Sequence, residues 1–233
     1  VPEVSDPAAR IAAALRAAIA AHPHQDSGAG HDMLAVAESI AARGGLDIDD
    51  LRQRQLSSTG GTGLLVRVLP FGLATPLDRP RLRRDAYRCA AAAGADEGTT
   101  IVCVAAALVA ADLLRFDPST TAIRVRQSLL EDAPMALLNR LTILDAESEV
   151  VEGDTDPGAA LQVALSELEW TGCSGVASAL ARLGEAGRGD LGTLTAALAG
   201  AAAGECDVPV EGPLAERADR VAAALASQDT GAA

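Results

Sequence analysis

The sequence contains no lysine. All 19 of its basic side chains are arginine, set against 32 acidic ones for a net charge of -13. A deficit of positive charge on that scale argues against a general nucleic-acid or anionic-membrane surface. Missing lysine beside abundant alanine points to a GC-rich genome more than to a mechanism. Aromatics make up only 2% of the chain, so its core is built from Ala, Leu and Val, which favours closely packed helices over a sheet. Arg, Asp or Gly interrupts every apolar tract short of the ~18 residues that cross a bilayer. The opening residues, VPEVSDPAAR, lack both a basic start and an apolar signal core, so no secretion signal is expected and a cytoplasmic location is the default. Four cysteines, Cys89, Cys103, Cys173 and Cys206, are far apart with no Cys-x-x-Cys pair, and read as buried or idle thiols.

At 233 residues the chain is long enough for one well-buried helical domain spanning 1–233. Asp6 before Pro7 is a helix start, an N-cap acceptor with proline at the first helical position. Ile11, Leu15, Ala18 and Ile19 then mark one face. Residues 22–30, HPHQDSGAG, are polar and turn-rich and are expected to form a mobile loop. His22, His24 and the adjacent His31 invite a metal reading, but His-Pro-His on such a loop has no fixed ligand spacing and no carboxylate or thiolate set around it. HDMLAVAESIAARGG reads as a helix with Leu34, Ala37 and Ile40 inward and Gly44 or Gly45 as its cap. A short helix in LDIDDLRQRQL follows. The run from Asp78 to Gly94 is a basic amphipathic helix with a solvated arginine face, and Ile101 to Leu114 is apolar nearly all round, hence central. TTAIRVRQSLL and APMALLNRLTILDAE read as two more helices, although IRVR alternates enough to leave a strand open. Asp156 before Pro157 begins another. A last amphipathic helix starts at Pro213, and residues 1–5 and 227–233 are expected to fray.

Two stretches carry chemistry or its trace. In SSTGGTGLLVRVLPFGLATP, Gly61, Thr62 and Gly63 open a helix, and Arg67, Pro70 and Gly72 follow. Such a loop can cradle phosphate oxygens on converging N–H groups, or it can be a packing turn without ligand. Arg67 can pair with a core carboxylate as readily as with pyrophosphate. In ALARLGEAGRGDLGTLTAALAGAAAGECDVP, a Gly-rich turn feeds an Ala/Leu helix with Ala196, Gly200 and Gly204 at a spacing of four, and Pro209 ends it. Small residues at that spacing let another helix pack close to the backbone.

These stretches resemble the ADP-ribosylglycohydrolase family, which includes the dinitrogenase-reductase-activating hydrolases. The family pattern Gly-Asn-Gly-x-x-Met-Arg-x-Ala-Pro-x-Gly matches Gly61, Gly63, Arg67, Pro70 and Gly72, with Thr62 for Asn and Val66 for Met. Its C-terminal Gly-Gly-Asp-x-Asp-Thr loop and following helix place Gly200, Gly204 and Pro209 on their counterparts. Met33 and the run Ala37, Glu38, Ser39 match the family's Asp-Asp-Thr-x-Met segment and the Ala-Glu-Ser beyond it. The resemblance implies an all-α, single-domain multi-helix bundle of roughly ten helices. It also implies cleavage of a glycosidic bond to ADP-ribose, helped by two Mg²⁺ or Mn²⁺ ions.

The implied ligands are absent from this sequence. The first metal-binding segment's two aspartates and threonine fall on Ala29, Gly30 and His31, and those of the C-terminal loop on Gly187, Gly189 and Asp190. Near the end of the first helix, the family's Asp has Ala21 and His22 as its nearest counterparts, and Ala95-Asp96 replaces a usual Thr-His. Gly153-Asp154-Thr155-Asp156 imitates the metal loop but lies too far upstream. A hard divalent cation needs several oxygen ligands, which Ala and Gly side chains do not offer. The expected protein therefore has no catalytic residue, metal or cofactor, and retains at most a role in binding ADP-ribose or a protein partner. Ligand binding is expected at Gly61, Thr62, Gly63, Arg67, Arg188 and Asp190, where Arg188 either meets an anion or points to water or Glu185. Two alternatives stand beside it. One is an active hydrolase rebuilt from Asp154, Asp156, Asp190 and the histidines, and the other is a ligand-free structural or interaction domain.

Overall fold

The computed structural model describes residues 6–21, 28–57, 61–142, 156–171, 175–183, 189–210 and 212–230. Among them are twelve α-helices and one 3-10 turn, with no strand. In order these are α1 (Pro7–Ala20), α2 (Ala29–Arg43), α3 (Ile48–Gln53), α4 (Gly61–Ala74), α5 (Arg79–Ala92) and α6 (Glu97–Leu113). The 3-10 turn Pro118–Thr120 leads into α7 (Thr121–Ser128), α8 (Met135–Arg140), α9 (Pro157–Thr171), α10 (Val176–Leu183), α11 (Asp190–Ala203) and α12 (Pro213–Thr230).

Aspartates start these helices as their sequence positions require. The carboxylates of Asp6, Asp47, Asp78, Asp96 and Asp156 accept first-turn N–H groups of α1, α3, α5, α6 and α9. Accepting these bonds holds the Asp96 carboxyl below the usual range, the Thr99 N–H being the largest cause. α2 stops at Gly44, whose left-handed φ of 74° lets its N–H return to the Ile40 carbonyl.

Three helices form the centre. α4 and α6 are buried over almost every residue, as is α11 from Gly192 to Ala202. α4 packs against α6, α2 and α11, while α1 lies between α11, α12 and α2. At three crossings helices come this close because a glycine faces the neighbour's backbone. A Cβ on Gly200 of α11 would sit 2.5 Å from the Ala13 carbonyl oxygen of α1. Gly72 of α4 meets Ala107 of α6, and Gly30 of α2 meets Ala18 of α1, more closely still. No side chain fits between these pairs.

Several expectations change. The alternating IRVR is helical, in α7, because Ala122 and Val125 are buried at a spacing of three while Ile123 faces out. α2 begins at Ala29, so Ala29 and Gly30 leave the expected loop and are buried in the first turn; residues 22–27 lie outside the described set. α12 continues to Thr230 rather than fraying from 227, and Gln228 donates to the Ala41 carbonyl at 2.9 Å. Among the described residues the α-helices number twelve against the roughly ten implied, α10 being one that the sequence reading did not single out.

Glycine is required at Gly72 and dispensable at Gly98, where an added Cβ would meet only Asp96 Oδ1 at 3.5 Å. Gly72→Ala is expected to destabilise by about 1–3 kcal/mol through overpacking despite alanine's better helix propensity. Gly98→Ala should be neutral or gain up to ~1 kcal/mol. Urea unfolding of the two variants checks the contrast.

Candidate functional site

Asp32 stands in the first turn of α2, between His31 and the buried Met33, and is itself only 5% exposed. A carboxylate so placed must be satisfied by neighbours. Its Oδ1 accepts the Ser57 N–H at 3.1 Å and the Ser57 hydroxyl at 3.2 Å, and its Oδ2 accepts from Arg67 Nη2 at 3.3 Å. Arg67 projects from α4 and is 6% exposed. Arg67 thus pairs with a core carboxylate, one of the two partners its sequence position allows. Its Nε nevertheless lacks a hydrogen-bond acceptor among the described residues, so they leave the guanidinium under-satisfied in a buried place.

The other expected ligand residues are placed as follows. Gly61, Thr62 and Gly63 form the first turn of α4 itself; Gly61 is half-buried, and Thr62 and Gly63 are buried. Gly63 and Arg67 are four residues apart and share a helix face. Asp190 is the first residue of α11, half-buried, behind an N-cap at Gly189. α11 packs against α4, which brings the two expected loops onto neighbouring helices. Arg188 and Glu185 lie outside the described residues.

The groups of the rebuilt-hydrolase alternative are only partly described. His22, His24 and Asp154 lie outside the described residues. His31 is half-buried on α2. Asp156 is committed elsewhere, capping α9 and pairing with Arg140 at 2.5 Å. Among the described residues no three His, Cys, Asp or Glu side chains gather as a metal site.

Two thiols share the interior with Arg67. Cys89 of α5 and Cys103 of α6 are buried, and burial pushes their thiols up to about 11 and about 12; the Arg67 charge offsets only part of this. Cys206 is half-buried, its thiol raised by the same cause. Sequence reasoning missed Asp32 and Ser57. Asp32 could have been found as an acid within an otherwise buried turn, whereas Ser57, in a polar stretch, offers no such signal.

This architecture has a counterpart among solved structures. A solved structure titled "ADP-ribosylglycohydrolase-related protein complex" matches 98% of this chain and 100% of its own, with a TM-score of 0.68 and 18% sequence identity. The chain therefore has an ADP-ribosylglycohydrolase-like fold. No protein-family model matches the sequence, and no curated protein matches it.

Asp32→Ala strands Arg67 without its counter-charge and is expected to cost about 3–5 kcal/mol. Adding Arg67→Met should recover part of that loss in urea unfolding. Cys89 and Cys103 should resist iodoacetamide at pH 8 while Cys206 labels ahead of both, with their labelling rising as pH approaches their raised values; Cys173 lies outside the described residues. Mass spectrometry of peptide fragments reads the order.

Proposed function

We propose that this chain is an ADP-ribosylglycohydrolase-like protein that has lost the dinuclear metal site and hydrolase activity, and that it acts by binding ADP-ribose or a protein partner. The observation that carries this reading is Gly30. In the resembled pattern this position belongs to a metal-binding aspartate, and here an added Cβ would collide with the Ala18 carbonyl of α1. A carboxylate cannot be restored there without moving a helix.

The remaining donors do not fit two cations. A dinuclear site needs several carboxylate oxygens around each metal to polarise substrate and water. Asp32, the acid nearest that position in sequence, accepts from Ser57 and Arg67. A guanidinium in that position disfavours a divalent cation and favours an anion. Arg67 with the first turn of α4, and Arg188 between two positions that are aspartates in the pattern, are the groups through which a phosphate-bearing ligand would be held.

Calorimetry with Mg²⁺ and Mn²⁺ should show no stoichiometric site at micromolar affinity, and ADP-ribosyl-arginine should not be hydrolysed. A tight site or turnover would sink the reading. In thermal-shift titration, stabilisation by ADP-ribose that disappears in Arg188→Ala supports ADP-ribose as the ligand. No shift at millimolar ADP-ribose leaves the partner-binding role.

A further inference from the structure

Six large apolar side chains stand exposed among the described residues, and four of them, Phe116, Ile123, Leu130 and Met135, fall within 116–135. Their grouping follows from α7. This helix buries Ala122 and Val125, and Leu129 is buried in the turn that ends it. Ile123, Gln127 and Leu130, at spacings of four and three, lie on the opposite face and are exposed, Ile123 at 59% and Leu130 at 53%. Met135, 65% exposed, opens α8 just beyond. The Phe116 ring is held beside the stripe by Arg124 of α7, whose guanidinium carbon lies 4.1 Å from the ring centroid.

The stripe itself offers no charge for an acidic or basic partner to match. Its flanking ions are engaged within the chain: Arg124 with Asp112 at 2.9 Å, Arg126 with the Leu138 carbonyl at 3.3 Å, and Asp132 with Arg83. From Arg115 to Arg140 the chain holds four arginines and three acids, so the excess behind the net charge of -13 lies in other parts of the sequence. Two copies can meet here without pressing their acidic surfaces together.

We propose that this stripe is the contact of a reversible two-fold homodimer, in which two copies of α7 cross antiparallel at Gln127. Self-complementarity selects a second copy as the occupant. Gln127 lies roughly 6 Å along the helix from Ile123, and Leu130 roughly 4.5 Å further on, so Gln127 stands close to their midpoint. A two-fold axis through Gln127 then lays Ile123 on the partner's Leu130 and Leu130 on the partner's Ile123. The two Gln127 amides face each other, and because a carboxamide both donates and accepts, each N–H donates to the other's carbonyl. Met135 and Phe116 border the stripe and widen its apolar centre. So few anchors make a contact at the small end of protein interfaces, under about 1,200 Å² in total, so the dissociation constant is expected on the order of tens of micromolar.

Sedimentation equilibrium of the whole chain, from about 5 to 200 µM, reads the association. Monomer is expected at the lower concentrations and dimer at the upper. Ile123→Glu/Leu130→Glu should stay monomeric throughout, whereas Ala223→Glu, exposed on α12, should associate as the parent does, with circular dichroism confirming that both fold. The axis has a readout of its own, because Gln127 meets itself only in an isologous contact. Gln127→Glu and Gln127→Arg should each dimerise about tenfold more weakly alone, while their equimolar mixture regains the parent affinity or exceeds it. The proposal is overturned if the parent is monomeric at every concentration, if association survives in Ile123→Glu/Leu130→Glu, or if the mixture binds no more tightly than its components.

Discussion

Backbone meets backbone at the centre of this protein, and that closeness governs the rest. Gly200 against Ala13, Gly72 against Ala107 and Gly30 against Ala18 set α11 on α1, α4 on α6 and α2 on α1 with no intervening side chain. Alanine then fills the remaining interface, as in the run Ala105 to Ala107 of α6, and two phenylalanines suffice for the whole chain. Such packing lets α4 contain Pro70, which has no N–H for the preceding turn, because neighbouring helices hold α4 on all sides. It also removes room. A site that depends on acids projecting from α2 cannot coexist with Gly30 seated on the α1 backbone.

Charge is arranged around that centre in arginine forks. Asp112, 1% exposed near the end of α6, accepts from Arg79 of α5 and Arg124 of α7, and Arg124 also lies 4.1 Å from the Phe116 ring centroid. Glu38 of α2 joins Arg54 and Arg217, tying the α3 end and α12 to one carboxylate. A planar fork serves two acceptors at once in a way a lysine ammonium does not. The absence of lysine and the number of shared carboxylates therefore belong together. Much of what looked like solvated surface on α5 is instead fastening between helices, since Arg79 bonds Ser128 at the end of α7 and Arg83 bonds Asp132 just beyond it.

Much of the fold was legible residue by residue. Asp6–Pro7, Asp156–Pro157 and Gly44 mark boundaries because capping chemistry is local and a side chain beside its own helix end needs no tertiary information. The centrality of Ile101 to Leu114 was legible because it is apolar around its circumference, and the close packing of α11 because Ala196, Gly200 and Gly204 are small residues four apart. Positions set by distant contacts were not. IRVR read as helix with a strand left open, and burial of Ala122 and Val125 from one side closes that alternative. Ser227 and Gln228 read as tail, yet Gln228 reaches the end of α2, 187 residues earlier. At the candidate site the glycines and Arg67 could be found by pattern, whereas the partner of Arg67 could not. Asp32 lies outside the resembled ligand positions, and only the crossing of α2 with α4 brings the two charges together.

The enclosure of α1 has a consequence for synthesis. Its principal neighbours, α11 and α12, are the last helices of the sequence described here, and Arg16 finds Asp219 only 203 residues later. At roughly 5–20 residues per second, translation leaves the apolar face of α1 without its final cover for about 10–40 s. During that interval Ile11, Leu15 and Ile19 stand on a nascent helix that can rest on α2 but cannot be closed. Apolar surface uncovered for that long is the kind that holding chaperones bind, and any pause before α11 emerges lengthens the exposure.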